Sequence, residues 1–126
     1  MFRTTSAFTT VIWALCLTVS PWASSQQAYP SKPLKIVVPF GAGGVADLTA
    51  RTVAQKMGEN MGQSIVIENK PGAGGVVATD AVAKSAPDGY TLLLMSNATA
   101  VSAGLFKSLP YDAEKDLIPL SVLGTF

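Results

Sequence analysis

Two consecutive segments of this chain follow one plan: a short β-branched run, a cluster of glycines, then apolar residues at helical spacing. In the first, Leu34-Lys35-Ile36-Val37-Val38 is closed by Pro39, and Gly41, Gly43 and Gly44 follow. From Ala46 the apolar positions are Ala50, Val53, Ala54, Met57 and Met61, the period of an amphipathic helix, with Gly58 and Gly62 marking its end. In the second, the strand Ser64 to Glu68 leads into Asn69-Lys70-Pro71-Gly72-Ala73-Gly74-Gly75 and a helix with Val77, Ala78, Ala81 and Val82 on one face. Pro87-Asp88-Gly89 forms a turn. The third strand, Thr91 to Met95, is apolar enough to be covered on both faces. Ala98 to Phe106 reads as a short helix and Ile118 to Leu123 as a fourth strand. Such strand–helix alternation predicts an α/β fold, a parallel sheet with helices on both faces.

The residues ahead of this pattern read differently. Arg3 supplies a positive charge, Ala7 to Val19 is an uncharged apolar run, and Ser20-Pro21 breaks it before the small residues Ala23, Ser24 and Ser25. That order is a secretory signal peptide over residues 1–25, and the run falls short of the roughly 20 apolar residues of a membrane span. Cleavage after Ser25 leaves one domain, residues 26–126, with no stable membrane insertion. Its leader, Gln26 to Pro33, is an extended approach to the first strand. Cleavage also removes Cys16, the one cysteine, so a disulfide framework is excluded.

Composition closes further routes. The chain has no histidine, so a Ser-His-Asp triad, a Cys-His pair and a Cys/His zinc site are ruled out. Nine Lys+Arg against eight Asp+Glu, a net charge of +1, gives no basic patch for nucleic acid.

Glycines at two strand-to-helix turns let a ligand approach the backbone, and the free N–H groups of the following helices attract negative charge. An anion pocket built from main-chain amides is one reading; turns that need glycine for their own geometry are the other. A rival is the dinucleotide fingerprint. Gly41, Gly43 and Ala46 fit G-x-G-x-x-A, and Glu68 ends the next strand about 20 residues on, where a ribose-binding acid belongs. Against it stand the intervening Pro39-Phe40, a second glycine loop with no role, and export away from nicotinamide cofactors. A nucleoside-triphosphate loop fails, since Val45-Ala46-Asp47 follows Gly44 where Lys-Ser/Thr is required. Asp47, in the first helical turn, reads as a cap that shapes the glycine loop, with Arg51 either its i+4 surface partner or an attractor of an anionic ligand. Asn97 reads as a pocket lining or a helix cap.

With these residues laid out, the chain resembles the Bug receptors, the extracytoplasmic solute-binding proteins of tripartite tricarboxylate transporters. The matching stretches are Tyr29 to Phe40, Gly43 to Arg51, Gly62 to Gly75, Ala86 to Leu93 and Tyr111 to Gly124. The resemblance implies a periplasmic, two-lobed binding protein, not an enzyme and without a cofactor, that closes on a small carboxylate and serves membrane transporter subunits. It places Phe40, Gly43, Gly44, Val45, Ala46 and Asp47 at the pocket. From the second turn it adds Ala73, Gly74 and Gly75, and from the third strand end Ser96 and Asn97. No metal is implied. In length the sequence departs from the family, supplying a first lobe up to the region of the interlobe crossover. Two other readings stand beside the receptor lobe: a dinucleotide-binding oxidoreductase fragment and a remnant that binds nothing.

Overall fold

The computed structural model describes residues 28–124. Three parallel strands, β1 (Leu34–Val38), β2 (Ile65–Asn69) and β3 (Thr91–Leu93), form one sheet in the order β2-β1-β3. Leu34 pairs with Ile65 and Val38 with Asn69 on one side of β1, and Ile36 pairs with Leu92 on the other. Three helices, α1 (Val45–Met61), α2 (Val76–Ala83) and α3 (Asn97–Leu105), follow the three strands.

The alternation of side chains along β1 explains the layering. Ile36 and Val38 face α1 and pack with Ala50 and Ala54, while Val37 faces the other way and packs with Ala78 and Val82 of α2. Helices therefore cover both faces of the parallel sheet. Leu34, Val37 and Val38 are 2% exposed or less, and each such buried side chain contributes roughly 1.5–3 kcal/mol. Alanines on the inner face of α1 let the helix lie close to the sheet. The helix runs through Gly58 and stops at Gly62, whose left-handed backbone returns its N–H to Gly58 O at 2.9 Å.

Four sequence expectations are corrected in detail. The second strand is Ile65–Asn69, one residue later than read. The third ends at Leu93 and is half-buried rather than covered on both faces, because it lies at the sheet's edge among the described residues. On α2 the inward residues are Ala78, Thr79 and Val82, and Val77 points outward, 49% exposed. Ile118 to Leu123 is not a strand. Ile118, Leu120 and Val122 carry the alternating apolar pattern, yet no described strand pairs with them, and they are 76–83% exposed. Residues 1–25, read as a signal peptide, lie outside the described residues. Among the described residues no helix is long and apolar enough to cross a membrane.

The leader is tied to the turn before β3. Tyr29 Oη donates to Gly89 O at 2.7 Å, and Ser31 N donates to Tyr90 Oη at 2.9 Å. Lys32 Nζ meets Asp88 at 3.0 Å and lies 4.3 Å from the Tyr90 ring centre. This clamp sits at the amino-terminal ends of β1 and β3, opposite the glycine turns.

Candidate functional site

In an open parallel sheet the strand order reverses where neighbouring connections leave on opposite faces, and ligands settle there beyond the strands' carboxyl ends. Here that point lies between β1 and β3. The β1–α1 loop, Pro39 to Gly44, the β2–α2 turn and the β3–α3 junction all lie at this edge. Contacts join them: Lys70 N donates to Val38 O at 2.8 Å and Leu94 N to Val37 O at 2.9 Å.

The first loop is held by a buried carboxylate. Asp47 is 2% exposed. Its Oδ2 accepts from Gly43 N at 2.8 Å and from Arg51 Nε at 2.9 Å, and its Oδ1 accepts from Asn69 Nδ2 at 3.0 Å. The Arg51 hydrogen bond, then those from Gly43 and Asn69, hold the Asp47 carboxyl well below its ordinary pKa, against the opposing effect of burial. Asn69 also donates to Phe40 O at 3.0 Å, so the end of β2 pins both the loop and its anchor. Asp47 shapes the loop and pairs with Arg51 as expected, but it is not the helix cap. Gly44 is the N-cap, without a side-chain cap.

The second turn is unusual in its backbone. Gly72, Ala73, Gly74 and Gly75 all have positive φ, at 146°, 44°, 63° and 95°. Ala73 holds this conformation at a strain cost of order 1 kcal/mol, and Gly75 N donates to Gly72 O at 2.9 Å to close the turn. Clearance also matters at its two last residues. A Cβ on Gly74 would stand 2.6 Å from Ser102 Oγ, and one on Gly75 would stand 3.0 Å from Thr99 Oγ1 and 3.5 Å from Pro39 Cβ. Pro39, Gly75 and Thr99 thus bring all three connections to one point.

All three helices begin at this edge, with N-caps Gly44, Gly75 and Ser96, and none of these N-cap residues makes a side-chain capping bond among the described residues. Val76 N of α2 donates to Ala73 O, and in α3 Thr99 N donates to Ser96 O, whereas the first turn of α1 keeps its amides clear of any side-chain cap; with the positive ends of three helix dipoles, this makes an edge suited to an anion. Of the residues singled out from sequence, Phe40, Gly43, Gly44, Val45, Ala73, Gly74 and Asn97 are exposed here. Ala46 and Ser96 are part-buried, and Asp47 and Gly75 are buried. Asn97 Oδ1 accepts from the adjacent Ala98 N at 2.9 Å. The available cations are already engaged. Arg51 is bound to Asp47, and Glu68 is held between Lys35 and Lys70, each at 2.8 Å. These two lysines, Lys35 first, lower the Glu68 pKa. A ribose-binding role for Glu68 finds no support in this pairing. Among the described residues no group of three or more His, Cys, Asp or Glu could hold a metal ion.

Three residues of this edge escaped the sequence reading. Asn69 follows directly on Glu68, which drew the attention as a candidate acid. Thr99 and Ser102 are spaced i, i+3 in an otherwise small and apolar helix, a signal that two hydroxyls share one face.

Comparison with known proteins agrees with this architecture. Residues 49–126 match the family described as the tripartite tricarboxylate transporter family receptor. Protein BugT of Bordetella pertussis is 46% identical over 102 residues, covering 79% of this chain and 31% of its own. The chain thus spans about a third of the length of the curated relatives it matches. The periplasmic binding protein BugD is 42% identical with a TM-score of 0.66, over 70% of this chain and 29% of its own. MatC from Rhodopseudomonas palustris, solved with bound malate, is 42% identical with a TM-score of 0.65, over 70% of this chain and 30% of its own. The family and these neighbours are binding proteins, and the chain belongs to the tripartite tricarboxylate transporter receptor family.

Proposed function

We propose that residues 26–126 are the first lobe of an extracytoplasmic solute-binding receptor, exported by the signal peptide 1–25 to the periplasm. The lobe takes one end of a small carboxylate and hands it to membrane transporter subunits; it catalyses no reaction. The observation that carries this reading is the gathering of three helix N-termini, none capped by its N-cap side chain, at one edge of a parallel sheet. Malate in MatC supports the ligand class. Main-chain amides can share a carboxylate without a free cation, which suits an edge whose Arg51 and Lys70 are already paired. The ligand would lie among Phe40, Gly43 to Asp47, Ala73 to Gly75, Ser96 and Asn97.

A thermal-shift series on the purified chain tests this, with mono-, di- and tricarboxylates against NAD and NADP. A ligand that binds only the folded state raises the apparent melting temperature with its concentration. A rise with carboxylates alone supports the receptor reading. A rise with the nucleotides alone overturns it in favour of a dinucleotide site, and no rise with any ligand favours a lobe that does not bind.

A further inference from the structure

We propose that Ser102 is a positioning residue of this edge, acting on a bound carboxylate through the left-handed turn Gly72–Gly75. Ser102 is 3% exposed, and its Oγ lies 3.0 Å from Gly74 O and 2.8 Å from Ala98 O. The bond to Ala98 lies within α3, one turn back, as helical serines commonly make. The bond to Gly74 spans 28 residues and crosses from α3 to the turn. A hydroxyl has one proton, so the two carbonyls share it. Glycine at position 74 is what lets the hydroxyl come so close, since a Cβ there would stand 2.6 Å from it.

The consequence is directional. Ser102 holds the Gly74 carbonyl toward α3, and the planar peptide bond then fixes the direction of the Gly75 N–H. Orientation of the whole turn follows, because Gly75 N closes on Gly72 O. The turn carries four successive positive φ angles, one of them on the non-glycine Ala73, and the Ser102 bond adds to its internal bonds a tie to α3. Thr99 serves as an internal contrast. It packs on the neighbouring glycine at 2% exposure, but among the described residues its Oγ1 has no hydrogen-bond partner. Packing against the turn and bonding to it are therefore divided between two residues on one face of α3.

The inference rests on the carboxylate reading for its effect on binding, and its structural half can be read without any ligand. Amide hydrogen exchange on the full chain compares Ser102→Ala, Ser102→Thr and Thr99→Val, and malate is titrated into each by calorimetry. Loss of one hydrogen bond at the turn is expected to raise exchange at Gly75 about fivefold in Ser102→Ala, with β1 amides unchanged, and to weaken malate binding by a similar factor. Ser102→Thr, which keeps the hydroxyl, restores both, and Thr99→Val changes neither. Unchanged Gly75 exchange in Ser102→Ala overturns the proposal, as does faster exchange with undiminished malate affinity. If the unaltered chain takes no malate, the carboxylate reading falls for that acid, and exchange at Gly75 decides the hold by itself. If Ser102→Ala does not fold, loss of Gly75 protection in Ser102→Thr overturns the proposal, and Gly75 protection as in the unaltered chain supports it.

Discussion

Alanine at position 74 measures how strongly α3 constrains the second glycine turn. Gly74 sits at φ 63° and ψ 26°, where an alanine costs roughly 1–2 kcal/mol relative to its ordinary backbone conformations. Its new Cβ would stand 2.6 Å from Ser102 Oγ, so the hydroxyl must turn away and give up its bond to Gly74 O. A lost bond of this kind is worth about 1 kcal/mol, which brings the expected destabilisation to about 2–3 kcal/mol. For a domain of about 100 residues that lowers the melting temperature by about 10–20 °C. Circular dichroism of the purified chain during heating reads this directly. Gly41→Ala is the reference, because nothing lies within 4 Å of its Cβ and its φ is not in the left-handed region. It should change stability by less than about 0.5 kcal/mol. In a Ser102→Ala background the obstructing oxygen is gone and the nearest atom is the residue 102 Cβ at 4.0 Å, an ordinary contact. Gly74→Ala should then cost the backbone strain alone, about 1–2 kcal/mol. Equal losses in both backgrounds, or a Gly41→Ala loss as large as that of Gly74→Ala, would refute the reasoning.

Three further outcomes follow from the same geometry. Asn69→Asp places a second carboxylate about 3.0 Å from Asp47 Oδ1, so urea unfolding at pH 7 should show a larger loss than for Asn69→Ala. That excess should shrink toward pH ~4 as the new carboxyl takes a proton. Asp47 has a folded-state pKa below its ordinary 3.8, so its contribution to stability is present above that value and lost as pH falls below it. The acid limb of a stability–pH curve should therefore be shallower in Asp47→Asn, while Asp88 and Asp112, also lowered, keep their share of the slope. Val37→Ala, at 2% exposure on the α2 side of the sheet, should cost about 2 kcal/mol in denaturant unfolding, from two lost methyl groups and the cavity they leave.

Much of the fold was legible because β1 and α1 obey local rules. The β-branched run Leu34 to Val38 has no helical periodicity, and the spacing from Ala46 to Met61 has little else. Their boundaries were accordingly read to within a residue or so. The fourth strand failed for a physical reason. A period of two in Ile118, Leu120 and Val122 describes a side-chain pattern, whereas a strand needs a neighbour, which sequence alone does not supply. The same lack of neighbours hid the edge position of β3 and the outward turn of Val77. At the candidate site the glycine loops and Asp47 were visible as composition, because glycine clusters and an acid in a first helical turn are local signals. Asn69 and Ser102 were not, since their partners are Asp47, 22 residues away, and Gly74, 28 residues away. Only the packing of β2 and α3 brings those pairs together.

Amide chemical shifts of the nitrogen-15-labelled chain during a malate titration show whether the three helix starts act together on a carboxylate. Saturable shifts are expected in three places: Gly43 to Asp47, Gly72 to Val76, and Ser96 to Ala98. The clamp around Tyr29 and Tyr90, at the opposite end of the sheet, should stay still. Shifts that match those of equal sodium chloride, or that spread over the surface without saturating, would contradict the claim that these three helix starts form one carboxylate site.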